Sequence, residues 1–198
     1  MTAPAFARLR TFARAERGTA CELCAREVRE HAHLWDLAQA CLRCVCRACE
    51  IVAGSAHAFR RLPNEVRRLD ELTLGEADWH ALAVPVRLVY FTRDTAGLAT
   101  ACYPSPAGPV ASRLSGAQWR ILSDRDPAIA ALEPEVQALL VCQLEHAAQA
   151  WIVPLDRCLE LTARVRGEWR GLRGGVRWWQ AVEDFFGALE RASGAASC

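Results

Sequence analysis

Lysine is absent. All 24 basic residues of the 198-residue chain are arginine, which excludes Schiff-base chemistry on a lysine amine and the lysine of a phosphate-binding loop. An excess of one charge sign is also missing: 24 arginines face 23 Asp and Glu, for a formal charge of +1. That balance excludes the strongly basic profile of a general nucleic-acid binder. An apolar fraction of 52% excludes the composition of a disordered chain. Long apolar runs are lacking too. The longest, Ala81 to Phe91, is interrupted by Arg87 and is too short to span a bilayer. The first seventeen residues hold four arginines and no apolar stretch of the length a signal peptide needs. The protein is therefore expected to be soluble, cytoplasmic and kept reduced. Catalytic signatures are missing as well. Ser105 and Ser112 lie in no Gly-x-Ser-x-Gly elbow, and no glycine motif could cradle a phosphate.

What the chain does have is cysteine, placed unevenly. Six of its 10 cysteines fall between Cys21 and Cys49. A disulfide framework would staple distant parts of the chain, whereas this clustering points to a metal site. The segment reads Cys21-Glu-Leu-Cys24, His31-Ala-His33, then Cys41-Leu-Arg-Cys44-Val-Cys46-Arg-Ala-Cys49. A Cys-x-x-Cys knuckle aims two thiolates at one point, and two knuckles complete the four-sulfur shell of zinc. Cys41 with Cys44 leaves 16 residues after Cys24, and Cys46 with Cys49 leaves 21. The preferred set is Cys21, Cys24, Cys46 and Cys49, with Cys44 as first substitute and Cys41, His31 and His33 as further alternates. Zinc is the expected ion. Iron, alone or as an iron–sulfur cluster, takes the same four cysteinates and is the alternative. His31 and His33 share a strand face and could instead donate hydrogen bonds to a carbonyl or to Asp36. A closed four-sulfur shell leaves no position for water, so the module is expected to be structural or a docking site.

The pattern along the chain predicts an α+β fold: a small N-terminal knuckle or ribbon module, then an antiparallel-sheet body with C-terminal helices. A helix is expected over residues 4–17. A knuckle, a hairpin and a second knuckle follow, to about Val52, and Ala53-Gly54-Ser55 reads as a linker. The expected domains are therefore 1–53 and 54–198. In the body a strand is expected at Ala58–Leu62 and a helix at Glu76–Leu82. Val86–Thr92 and Leu98–Tyr103 form a hairpin with Gly97 in the left-handed position. Ser115 and Asp126-Pro127 are helix caps, Gln137–Glu145 pairs with Gln149–Pro154, and two helices close the chain, from Asp156 to Trp169 and from Val176 to about Arg191. Asp156 and Glu160, flanked by Arg157 and Arg164, read as solvated ion pairs. Cys102, Cys142 and Cys158 fall on apolar faces and are expected in the core. Trp178 points about 100° away from Trp179 on its helix and is the candidate partner anchor.

Beyond these spacings, the chain resembles a small uncharacterised bacterial family. The resemblance is carried by Cys21-Glu-Leu-Cys24, His31-x-His33-Leu34-x-Asp36, Cys44-x-Cys46-x-x-Cys49, Tyr103-Pro-Ser-Pro-Ala-Gly108, Leu132 to Leu140, Val153-Pro-Leu-Asp156, Trp169-Arg-Gly, Gly174-Gly175 and the Trp179–Phe186 helix. Members of that family are encoded beside high-affinity, oxygen-tolerant uptake [NiFe]-hydrogenases and their maturation factors. The resemblance implies an accessory or maturation role there, with a hydrogenase subunit or maturation factor as protein partner. Cys41 and Trp35 are not part of the shared pattern, which favours Cys44, Cys46 and Cys49 over Cys41. Three functions follow as expectations: a non-enzymatic zinc-binding accessory protein, an iron-containing electron-transfer protein serving the hydrogenase, and a zinc-ribbon nucleic-acid binder. The last rests only on the front of the chain, where residues 1–70 carry 12 arginines against 8 acids.

Overall fold

The computed structural model describes residues 20–28, 30–105, 110–144, 147–169 and 175–195. The helix expected over residues 4–17 and the terminal Cys198 lie outside them. The chain divides into two compact units, residues 1–63 and 64–198.

In the first unit, β1 (Ala32–Asp36) and β2 (Cys41–Val45) form an antiparallel hairpin, followed by α1 (Arg47–Ala53) and β3 (Phe59–Arg61). β3 pairs with β1, so the strand order is β2-β1-β3. The boundary expected after Ala53 therefore falls inside this unit. Its cause is Gly54, which closes α1 instead of starting a linker. A Cβ there would lie 2.4 Å from Arg61 Nε, so only glycine lets α1 end this close to β3. Among the described residues, Cys21, Leu34, Val45 and Cys46 form the unit's buried core cluster.

The second unit is built on one six-stranded antiparallel sheet of order β4-β9-β8-β5-β6-β7. Its strands are β4 (Arg67–Arg68), β5 (Leu88–Arg93), β6 (Ala99–Tyr103), β7 (Val110–Arg113), β8 (Gln137–Leu144) and β9 (Ala147–Pro154). The central strands β5 and β8 are buried on both faces. One face, with Val89, Phe91, Leu139 and Ile152, packs into a core shared with α2 (Glu76–Leu82), α3 (Gly116–Ser123) and α4 (Pro127–Ala130). The other, with Tyr90, Leu140, Cys142 and Trp151, is covered by α5 (Leu155–Glu168) and α6 (Gly175–Ala195). This is the expected α+β body, in three layers.

Local chemistry accounts for most boundaries. Ser115 accepts a hydrogen bond from the Gln118 N–H while the Gln118 side chain returns to the Ser115 N–H, a complete capping box. Asp126 caps Ala128 ahead of Pro127. Gly97, at φ +80°, turns the β5–β6 hairpin. Asp156, expected as the cap of α5, lies instead in its first turn, because the helix begins at Leu155 behind Pro154. Glu160 is held between Arg157 (3.1 Å) and Arg164 (2.6 Å), the surface pairing its spacing suggests. No helix among the described residues is long and apolar enough to cross a membrane.

Candidate metal centre

The first knuckle is a short loop closed by a bridge between Ala20 and Glu27. The Cys21 N–H donates to the Arg26 carbonyl (2.7 Å) and the Ala25 N–H to the Cys21 carbonyl (2.8 Å). Ala25 takes up the left-handed conformation, φ +58°. This tight backbone turn brings the two thiols to one side.

The second pair is built differently from the expected knuckle. Cys46 is the extended residue before α1, and the Glu50 N–H donates to its carbonyl as a helical bond of the first turn. Cys46 and Cys49 are thus three apart on a helical turn, where i and i+3 side chains lie side by side. The unit is a knuckle–hairpin–helix finger, with the second Cys-x-x-Cys pair at the start of the helix.

The four sulfurs of Cys21, Cys24, Cys46 and Cys49 lie within 4.8 Å of one another. Cys24 Sγ and Cys46 Sγ are 3.8 Å apart. A disulfide would need about 2.05 Å. A tetrahedron of four sulfurs around zinc at about 2.3 Å has edges of about 3.8 Å. The spacing is that of ligands around an ion. Cys21 and Cys46 are buried, Cys49 is half-buried and Cys24 is exposed.

The electrostatics of the cluster are divided. Burial pushes the Cys21 thiol up, but the backbone N–H groups of Cys46, Cys24 and Leu23 together outweigh it and bring it down to about 6. At Cys46 the Cys49 N–H, aimed at the sulfur, lowers the thiol below its ordinary value against the opposing effect of burial. Cys49 is pushed up to about 12, first by Cys24 and then by Cys46, because its neighbours already hold the negative charge. Four sulfurs this close cannot all ionise alone, and a divalent cation at their centre removes the conflict. These four residues could therefore hold a metal ion.

Around them, Arg43 reaches Asp36 (3.2 Å) and Glu22 (3.8 Å), tying the hairpin to the first knuckle. Arg47 pairs with Glu50 on the first turn of α1. Asp36 is committed to Arg43 and to the Gln39 N–H, so it is not the histidine acceptor considered from sequence. It also lies on the opposite strand face from His33, because its position alternates with that of Trp35. The alternates divide. Cys41 faces Asp36 at the hairpin end and belongs to neither ligand group among the described residues. Cys44, His31 and His33 form a group of their own, with ligand atoms also within 4.8 Å of one another. Sequence reading missed this grouping; the pairing of His33 with Cys44 across the hairpin is the signal that reveals it.

In the body, Cys142 and Cys158 are buried, as expected, while Cys102 is half-buried. Trp178, the candidate partner anchor, is half-buried, its ring 5.4 Å from Trp169 in a tilted contact and 5.6 Å from Trp179 edge-on.

A finger whose four cysteines could hold a metal ion, and a three-layer body, define the class of this protein. A family model described as a family of unknown function, DUF5947, matches residues 20–193, and the chain belongs to that family. No curated protein and no solved structure matches it.

Proposed function

We propose that the finger holds one zinc ion through Cys21, Cys24, Cys46 and Cys49, and that the protein is a non-enzymatic accessory factor that docks on another protein. The observation that carries this reading is the set of four sulfurs within 4.8 Å of one another, with Cys24 and Cys46 at the 3.8 Å of a tetrahedral edge. With every position filled by protein, such a shell has no place for a substrate or an activated water. Its role is then to hold the finger folded and its surface presented. The partner in this reading is a [NiFe]-hydrogenase subunit, an immature precursor or a maturation factor, supported by the sequence resemblance to a family encoded beside those enzymes.

Two measurements test it. Elemental analysis of the chelator-washed protein should find one zinc per chain and no visible absorption; iron with a visible chromophore would replace zinc by the electron-transfer reading. Tagged protein purified from its native host should carry hydrogenase or maturation-factor chains. Cys24→Ser protein should lose both the zinc and those chains. Recovery of the same chains by metal-free Cys24→Ser protein would show that the finger is not the docking element.

A further inference from the structure

The hairpin carries a second set of metal-ligand side chains. β1 and β2 pair with Ala32 opposite Val45, His33 opposite Cys44 and Leu34 opposite Arg43. Because side chains alternate along a strand, Leu34 and Val45 go to the core of the unit while His33 and Cys44 face the other way. His31, two residues before His33, lies on that same side, and the two imidazole centroids are 4.9 Å apart.

The pairing of His33 with Cys44 is of the closer kind. The Cys44 N–H donates outward to the Glu22 carboxylate (2.6 Å), and the Cys44 carbonyl accepts from the Glu22 N–H (2.9 Å). With both backbone groups turned away from β1, His33 and Cys44 form a non-hydrogen-bonded pair, the type in which facing side chains approach most closely. Glu22 also locks the backbone of Cys44 to the first knuckle, so this ligand is held in place. The ligand atoms of His31, His33 and Cys44 lie within 4.8 Å of one another, and none of the three belongs to the four-cysteine group.

We propose that His31, His33 and Cys44 form a second metal site, distinct from the four-sulfur centre, that binds an exchangeable divalent ion of the zinc class. Two imidazoles and one thiolate suit a borderline ion and not magnesium or calcium, which take oxygen ligands. Three protein ligands leave one tetrahedral position for water or for a donor from another molecule. Exposure sets the exchange behaviour: His31 is exposed and His33 and Cys44 are half-buried, whereas two of the four-sulfur ligands are buried. An ion here is therefore open to chelators and to delivery or removal.

The test uses the full chain, reduced, loaded with excess zinc and desalted. Two zinc ions per chain are expected, and EDTA should extract one at least tenfold faster than the other. His33→Gln and Cys44→Ser should each abolish the fast ion and leave the slow one. His31→Gln, at an exposed position, gives a third variant that leaves the hairpin core untouched. A fast ion that all three variants remove supports the site even if no slow ion is found. A single, slowly released zinc in the unaltered protein would overturn it, and so would a fast ion that survives in the variants.

Discussion

At the residue scale, thiols of one chemical type meet opposite conditions in the two units. Cys21 is held down to about 6 by backbone N–H groups despite its burial. Cys142, on β8, is pushed up to about 11 by burial, against the effect of the Leu144 backbone. The fold thus favours the neutral form of Cys142. Above the ordinary value of 9.0 the unfolded chain loses this proton while the folded one keeps it. Stability from this group is complete below pH 9 and falls as the pH rises through 11, by about 3 kcal/mol in all. Urea unfolding of the body between pH 8 and 11 should show the loss, and Cys142→Ala should flatten it; equal pH slopes in the two proteins would contradict the assignment. The four candidate ligands were legible in the spacing of two Cys-x-x-Cys pairs. The His31, His33 and Cys44 group was not, because its grouping depends on hairpin register. That register is set by a four-residue turn, Leu37-Ala-Gln-Ala40, which contains no glycine, proline or asparagine to announce it.

At the element scale, α1 has seven residues, too few for a stable helix alone. It is held at its start by two candidate ligands and at its end by Gly54 and Arg61, whose Nη2 donates to the Ile51 carbonyl (3.0 Å). Gly54→Ala should force Arg61 and the end of α1 apart, because the added Cβ would meet Arg61 Nε at 2.4 Å and the Glu50 carbonyl at 2.5 Å. The expected cost is about 1–3 kcal/mol, seen as a lower melting temperature of the finger alone. No change in that transition would remove Gly54 from the account. The same helix shows where sequence reading stops. Cys-x-x-Cys has the spacing of a knuckle and also that of i and i+3 on a helix, so spacing could not distinguish them. Elements with strong local signals, such as α2, the Gly97 hairpin and the Ser115 cap, were legible nearly to the residue. The short edge strands β4 and β7 were not, since two or four residues carry too little alternation to be read.

At the scale of the whole molecule, the two units differ in what holds them together. The body has cores on both faces of a six-stranded sheet. Among the described residues of the finger, two of the four in its buried core cluster are candidate ligands, and domains that small need a staple. Structural zinc supplies about 10–16 kcal/mol in small fingers. Calorimetry should accordingly show two transitions. Metal removal should abolish that of the finger and leave that of the body within a few degrees; loss of both together would mean that the body depends on the metal. All of this depends on the four-sulfur centre. X-ray absorption at the zinc edge, on protein washed with EDTA to remove exchangeable ions, tests it most directly. One retained zinc per chain with four sulfur neighbours at about 2.3 Å is expected. Retained zinc with nitrogen or oxygen neighbours, or no retained zinc at all, would contradict it.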